Sequence, residues 1–391
     1  MKLEAKKLEL NPSTNMLVYG LMVIGVLSFA AGLFINADRT WHSFLINHAL
    51  FMGLGIGGLF FLVIHYLALA GWNVAVRRVA ESFASYLVLA FVFNIVLFFG
   101  LSHLYPWTNH ELMANDHLLH GKQGFFSLPF YIGRVVVFFG VTVFFAWRLI
   151  YNSTMQDDVG GVELRDRQKP LSAMFLVLFC PLFTVFSVDL LKSLDPKWFS
   201  TIFGVYVFIG FAQAFVAASI LTIRMLQKKG LLQVVTADHF HDLGKYLLGF
   251  TIFWAYIGVS QYLLIWYANV PEETTFYLLR QKPSWVWVSL ALPLLRFVLP
   301  FLLLLPRMAK RKPKYLEKVA VIVLIGAWVD LFWLVVPYFS PEKFSLSIFD
   351  LGLFLGFLGF FAFTVRRFLS KHHTVPVKDP FLHETLHHHV M

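Results

Sequence analysis

Seven ionisable side chains stand inside long apolar stretches of this 391-residue sequence: His48, His65, Arg134, Asp189, Arg296, Asp330 and Asp350. A charge placed in hydrocarbon costs roughly 3 kcal/mol or more unless it is paired or wetted, so each of these groups needs a partner or a task. Counting residues supplies partners. Arg296 lies about 11 residues from one end of its stretch, and Asp330 about 9 from the matching end of the next, so both sit roughly 15 Å deep at 1.5 Å per residue. The short connection makes the two stretches antiparallel neighbours, and Arg296 is expected to face Asp330. Arg134 and Asp189 form a shallower equivalent. Such a pair has two readings: a structural bond between helices, or a protonatable site on a proton or quinone path. A neighbouring arginine favours the ionised carboxylate while loss of water opposes it, which keeps the second reading open. Tyr66, Lys192 and His103 complete the groups able to serve such a path.

Redox centres are a different matter. A b-type haem takes two axial ligands, usually histidines on facing helices. His48 and His65 share one stretch, 17 residues apart, and no deep histidine follows in the later stretches. The single cysteine, Cys180, allows neither a disulfide framework nor a cysteine-held iron–sulfur cluster, and is expected as an inert core residue. The segment 103–127 carries His103, His110, Asp116, His117 and His120. Their spacing is weak evidence for a metal, and a lid or docking surface is the expected role. The tail, 371–391, holds His372, His373, His383, His387, His388 and His389, and is expected to bind a partner rather than a metal. No cofactor is therefore expected on this chain itself.

The elements that must position these groups are membrane helices. Hydrophobic residues make up 58% of the chain and charged residues only 14%, against roughly 25% in soluble domains, so lipid must cover the surplus apolar surface. Ten apolar runs, near 17–35, 43–70, 84–102, 128–150, 171–191, 198–224, 246–270, 285–306, 318–339 and 346–369, are each long enough to cross a core of about 30 Å. Backbone groups cannot go unpaired in lipid, and the strict alternation of barrel strands is missing, so the fold is all-α and polytopic. The first run follows Lys2, Lys6 and Lys7 like a signal peptide, but is too long for one and is expected as an uncleaved helix. The net charge of +10 does not point to nucleic acid, because the basic residues flank apolar runs and face anionic lipid. Of 32 Lys and Arg, 23 fall on the side holding both termini, 7 on the other and 2 within runs. That asymmetry predicts cytoplasmic termini in a bacterial inner membrane.

A short repeat appears four helices apart. Leu128-Pro129-Phe130-Tyr131-Ile132-Gly133-Arg134 matches Leu292-Pro293-Leu294-Leu295-Arg296, and the next helix carries an acid in each case. An even offset gives a parallel repeat. One integral membrane domain is expected, with four-helix bundles at 43–191 (helices two to five) and 198–339 (helices six to nine), and helices one and ten at the periphery.

Three stretches go further. One runs from Ser187 to Tyr206 (SVDLLKSLDPKWFSTIFGVY) and includes Asp189, Lys192, Asp195 and Trp198. A second joins His241-Asp242-Leu243-Gly244-Lys245 to Phe253–Tyr256 and to Ser260–Thr274, with Gln261, Tyr262, Glu272 and Glu273. The third is His103-Leu104-Tyr105-Pro106-Trp107 with Gly121-Lys122. Together they resemble the ActF-type, NrfD-like membrane subunit of bacterial alternative complex III, a family related to the membrane subunit of polysulfide reductase. The resemblance covers nearly the whole chain. It implies a quinol:cytochrome c, or quinol:acceptor, oxidoreductase in which iron–sulfur and haem c subunits carry the electrons. The implied partners are those periplasmic subunits, a related NrfD-like subunit and lipid. The implied small molecule is a quinone (menaquinone or ubiquinone), for which the sister subunit is the better site. Two other readings stand beside it: a small-solute permease, with helix eight broken at Pro293 and Pro300, and a purely structural anchor for redox subunits.

Overall fold

The computed structural model describes residues 6–390. Among them there is no strand, and ten helices are long and apolar enough to cross a bilayer. They are α1 (Pro12–Ile35), α2 (Ala37–Leu67), α3 (Arg77–Leu104), α4 (Leu128–Val159), α5 (Glu163–Leu194), α6 (Phe203–Lys228), α7 (Ala237–Ala268), α8 (Pro283–Leu304), α9 (Pro313–Tyr338) and α10 (Ile348–Lys371).

Packing follows the repeat. Helices α2, α3, α4 and α5 close one ring of neighbours, α6 to α9 close a second, and the rings meet where α2 lies on α6. Both of those helices are buried on nearly every side, which is why their sequences are apolar all round. Helix α1 packs chiefly on α10, and α10 in turn on α2 and α3. The α1–α10 contact is a backbone crossing. A Cβ on Gly25 would fall far inside contact distance of Gly356, and Ser28 and Met22 lie equally close to Gly352 and Gly359. Small residues permit that approach, and van der Waals contact then holds the pair in lipid.

Most ends shift by a few residues from the apolar runs. The largest changes are at α4, which runs on to Val159 rather than stopping near 150, and at α7, which starts at Ala237 rather than near 246; α6 starts at Phe203 rather than near 198. At α6 Asp195 is the cause: its Oδ1 accepts from the amides of Lys197 (3.1 Å) and Trp198 (3.2 Å), fixing a turn where the run predicted helix. Cys180 corrects another expectation. It is exposed on the middle of α5 rather than packed in the core.

The two chain ends meet. Leu8 N donates to Leu369 O and Thr374 N to Lys6 O, each at 3.0 Å. The tail then folds across this end of the bundle instead of standing free for a partner. Asp379 pairs with Arg77 and with Arg165 (3.2 Å), and Thr385 donates to Trp72 O at 2.6 Å. His388 meets Asp242 at 2.5 Å. Beside Asp379, Arg78 bonds Glu81 and Asp157, both at 2.5 Å. These arginines follow a short 3-10 turn and open α3, so they are buried although the sequence placed them in a loop.

Candidate functional site

Asp330, on α9, is buried inside the second bundle. Its carboxylate takes the hydroxyl of Tyr206 (2.6 Å) and the indole N–H of Trp254 (3.0 Å). Arg296 stands 3.8 Å away, in line with the depth count but beyond hydrogen-bond distance. The closest donors are thus two aromatic residues whose polar atoms a count of charges passes over.

Local sequence explains where Arg296 points. Pro300 has no N–H to give the carbonyl four residues back, so Arg296 O loses its helical donor. Gln213 Nε2 replaces it at 3.1 Å and also donates to Thr251 Oγ1 at 2.8 Å. Around this gap the helix widens into a π-turn over Leu294–Val298, a distortion common at functional positions. The guanidinium then reaches Gly210 O (3.3 Å) and lies 5.0 Å from the Trp254 ring, while Nε has no partner. Gly210 and Gly326 leave room for it, since a Cβ on either would crowd its side chain. A void of about 10 Å³, lined by Tyr206, Arg296, Asp330 and Leu50 among others, is close to the space of one water. The helix is deformed at its prolines but continuous, unlike the unwound helices of many transporters.

Above and below Asp330 the buried side of α7 carries further polar pairs. Toward the tail come Thr251 with Gln213, then Tyr246, whose hydroxyl lies 3.3 Å from His65 Nε2, then Asp242 with His388. Toward the opposite side, Gln261 bonds Ser200 (3.1 Å) and Tyr277 (3.4 Å). From Asp242 to Gln261 the helix rises roughly 28 Å, nearly the thickness of the hydrocarbon core. Of the proton-path candidates named from sequence, only His65 and Tyr66 lie on the tail side of Asp330. Tyr246, Thr251 and Gln213 fill most of that side, and their signal was their place on one buried helix side. Tyr66 lies off this column, against Arg77.

The other expected acids do not join the column. Arg134 grips Asp189 through two bonds of 2.7 Å, is capped by Phe125 and Phe130, and donates to Phe125 O. This is the first bundle's counterpart of Arg296 and Asp330, with direct bidentate geometry in place of a gap. Asp350 is among the groups expected to serve a proton path. It is instead held by Arg39 and Ser43 and accepts from Ser347 N at 2.7 Å, so it caps α10 and pins it to α2. The three acids therefore lie in separate places rather than on one path. His48 meets only Asn94 (3.3 Å), and His103 pairs with Asp38 at 2.6 Å.

The remaining motif residues build the end opposite the tail. Trp198 stacks on Phe276 at 4.4 Å and donates to Glu273 O at 3.1 Å. Tyr262 packs edge-on to Tyr277, whose hydroxyl burial pushes up to about 12. His241 is the exception: it lies at the tail end, beside Asp242 at 3.9 Å. Arg280 is a buried cation that charge counting placed in a loop. Pro337 leaves Trp333 O without its helical donor, and Arg280 Nε supplies one at 3.0 Å while Nη2 reaches Leu334 O at 2.9 Å. Among the described residues no group of three or more His, Cys, Asp or Glu is placed to hold a metal. Compared with family models and with curated proteins, the chain matches none.

Proposed function

We propose that this multi-pass membrane protein is the proton-transferring subunit of a quinol:cytochrome c, or quinol:acceptor, oxidoreductase of the ActF, NrfD-like type. The observation that carries this is Asp330: a buried carboxylate with two neutral donors and a cation held just out of bonding range, midway along a polar column through the second bundle. The donors and Arg296 favour the charged carboxylate while burial opposes it. The space for one water beside it gives a proton a carrier. Tyr206 and Gln261 connect Asp330 toward one face. Gln213, Thr251, Tyr246, His65 and Asp242 lead toward the other, with water bridging the interval of about 7 Å between Tyr246 and Thr251. In this reading iron–sulfur and haem c partners carry the electrons, and a related sister subunit oxidises the quinol. The motifs around Asp189, Asp242 and Glu272 support the assignment through the resemblance described above.

The test is Asp330→Asn in the assembled complex, with quinol oxidation and proton release both measured. The rate of proton release is expected to fall about 100-fold, the lower end of the range for losing an acid–base group. A variant that assembles and matches the parent in both rates makes Asp330 structural and removes the proposal's central residue.

The tail-bearing face is assigned to the cytoplasm of a bacterial inner membrane from the excess of basic residues there. Reporter fusions after Lys314 and Lys122 should read inside and outside respectively. Reversed signals overturn the orientation.

A further inference from the structure

The three motif stretches converge on one cavity that the polar column does not use. It has a volume of about 490 Å³ and lies at the end opposite the tail, between the bundles. Val188, Lys192, Lys197 and Phe199 come from the first stretch, Val270 and Glu272 from the second, and Lys122 from the third.

Its walls are mostly apolar and its charges mostly positive. Two of its three lysines are engaged. Lys122 donates to Pro196 O (2.9 Å) and Lys197 O (3.4 Å), and Lys197 pairs with Asp116. Lys192 differs. Its residue is 8% exposed, and among the described residues its ammonium has neither a hydrogen bond nor an ion pair. Its charged neighbours are Lys122 and Asp195, and Asp195 already spends one oxygen on the turn at Lys197 and Trp198. A buried, unpaired ammonium lining an open cavity calls for an anion. The apolar walls, and the position at the ends of membrane helices, call for one that carries hydrocarbon.

We propose that this cavity binds the phosphate of an anionic phospholipid, with Lys192 as the principal contact, Lys122 as the second cation and the apolar walls taking the start of an acyl chain. The assignment is independent of the proton column and of the quinol reading. A lipid held here would fill a gap between the two bundles.

The test uses the purified full-length chain in mild detergent. Native mass spectrometry would follow titration with phosphatidylglycerol, with phosphatidylcholine and with inorganic phosphate. One phosphatidylglycerol should bind at least tenfold more tightly than phosphatidylcholine. Lys192→Gln should abolish that preference, and Lys192→Arg should keep it. Arg366→Gln, at the opposite face, should leave it unchanged. Lys122→Gln provides a second reading if Lys192→Gln fails to fold, and should weaken the preference severalfold. Equal binding of both lipids, or an unchanged preference in the glutamine variants, overturns the proposal. So does displacement of phosphatidylglycerol by millimolar inorganic phosphate, which would assign the cavity to a free anion, or a co-purifying quinone whose retention depends on Lys192.

Discussion

Asp379→Ala is expected to release the tail and to destabilise the end that carries it by about 3–5 kcal/mol, the range for stranding a buried charge. Asp379 is 5% exposed and serves two arginines at once, Arg77 and Arg165, both nearly fully buried. Its removal leaves two guanidinium groups facing each other without an anion. Limited proteolysis should then cut between Lys371 and His389 where the parent resists, and the melting temperature should drop. Acid should reproduce the effect. Burial pushes the Asp379 carboxyl up, but Arg77 and Arg165 outweigh it and hold the group below its ordinary value. A depressed carboxylate gives its full stabilisation above the unfolded value of about 3.9 and loses it as pH falls through the folded one. Tail protection should therefore be flat from neutrality to about pH 5 and decline below about pH 4. A tail equally protected in the variant and the parent would show that the bonds at Thr385 and His388 suffice.

Arg134→Ala should be similarly costly, about 3–5 kcal/mol, because it leaves Asp189 buried and without donors on its two oxygens. The informative comparison is the double variant Arg134→Met, Asp189→Leu. Replacing a whole buried pair by apolar groups is often neutral or stabilising, so thermal stability should return near the parent level. If this pair only ties α4 to α5, the double variant should also retain quinol oxidation and proton release in the assembled complex. The matching exchange at Arg296 and Asp330 should recover stability yet lose proton release. Equal functional loss at both pairs would place Asp189 on the proton route after all.

The architecture was legible in the sequence because lipid leaves few options: runs of about twenty apolar residues become helices, and charges in them seek partners. The pairing of Arg134 with Asp189 followed from depth on adjacent antiparallel helices, and so did the proximity of Arg296 and Asp330. What depth counting missed was rotation about the helix axis. It grouped Asp350 with Asp330 as candidates for one path, whereas Asp350 faces Ser43 and Arg39. Tyr206 and Trp254 were hidden because aromatic residues are common here, and only their hydroxyl and indole N–H distinguish them. Arg77, Arg78 and Arg280 were read as loop charges because their partners are remote in sequence: Asp379, Asp157 and the carbonyls of Trp333 and Leu334. The first of those contacts depends on how the tail folds back.

The crossing of α1 and α10 has a consequence for how the chain is made. Gly25 leaves the ribosome 331 residues before the glycine it must touch. At about 5–20 residues per second the first helix waits on the order of tens of seconds in the membrane with its packing face open. Until α10 arrives, that face is a stripe of small residues able to meet any neighbouring helix. The anchors at Leu369, Thr374, Asp379 and His388 come later still. Without residues 372–391 every span and the Leu8–Leu369 bond remain, but the Thr374, Asp379 and His388 anchors are lost.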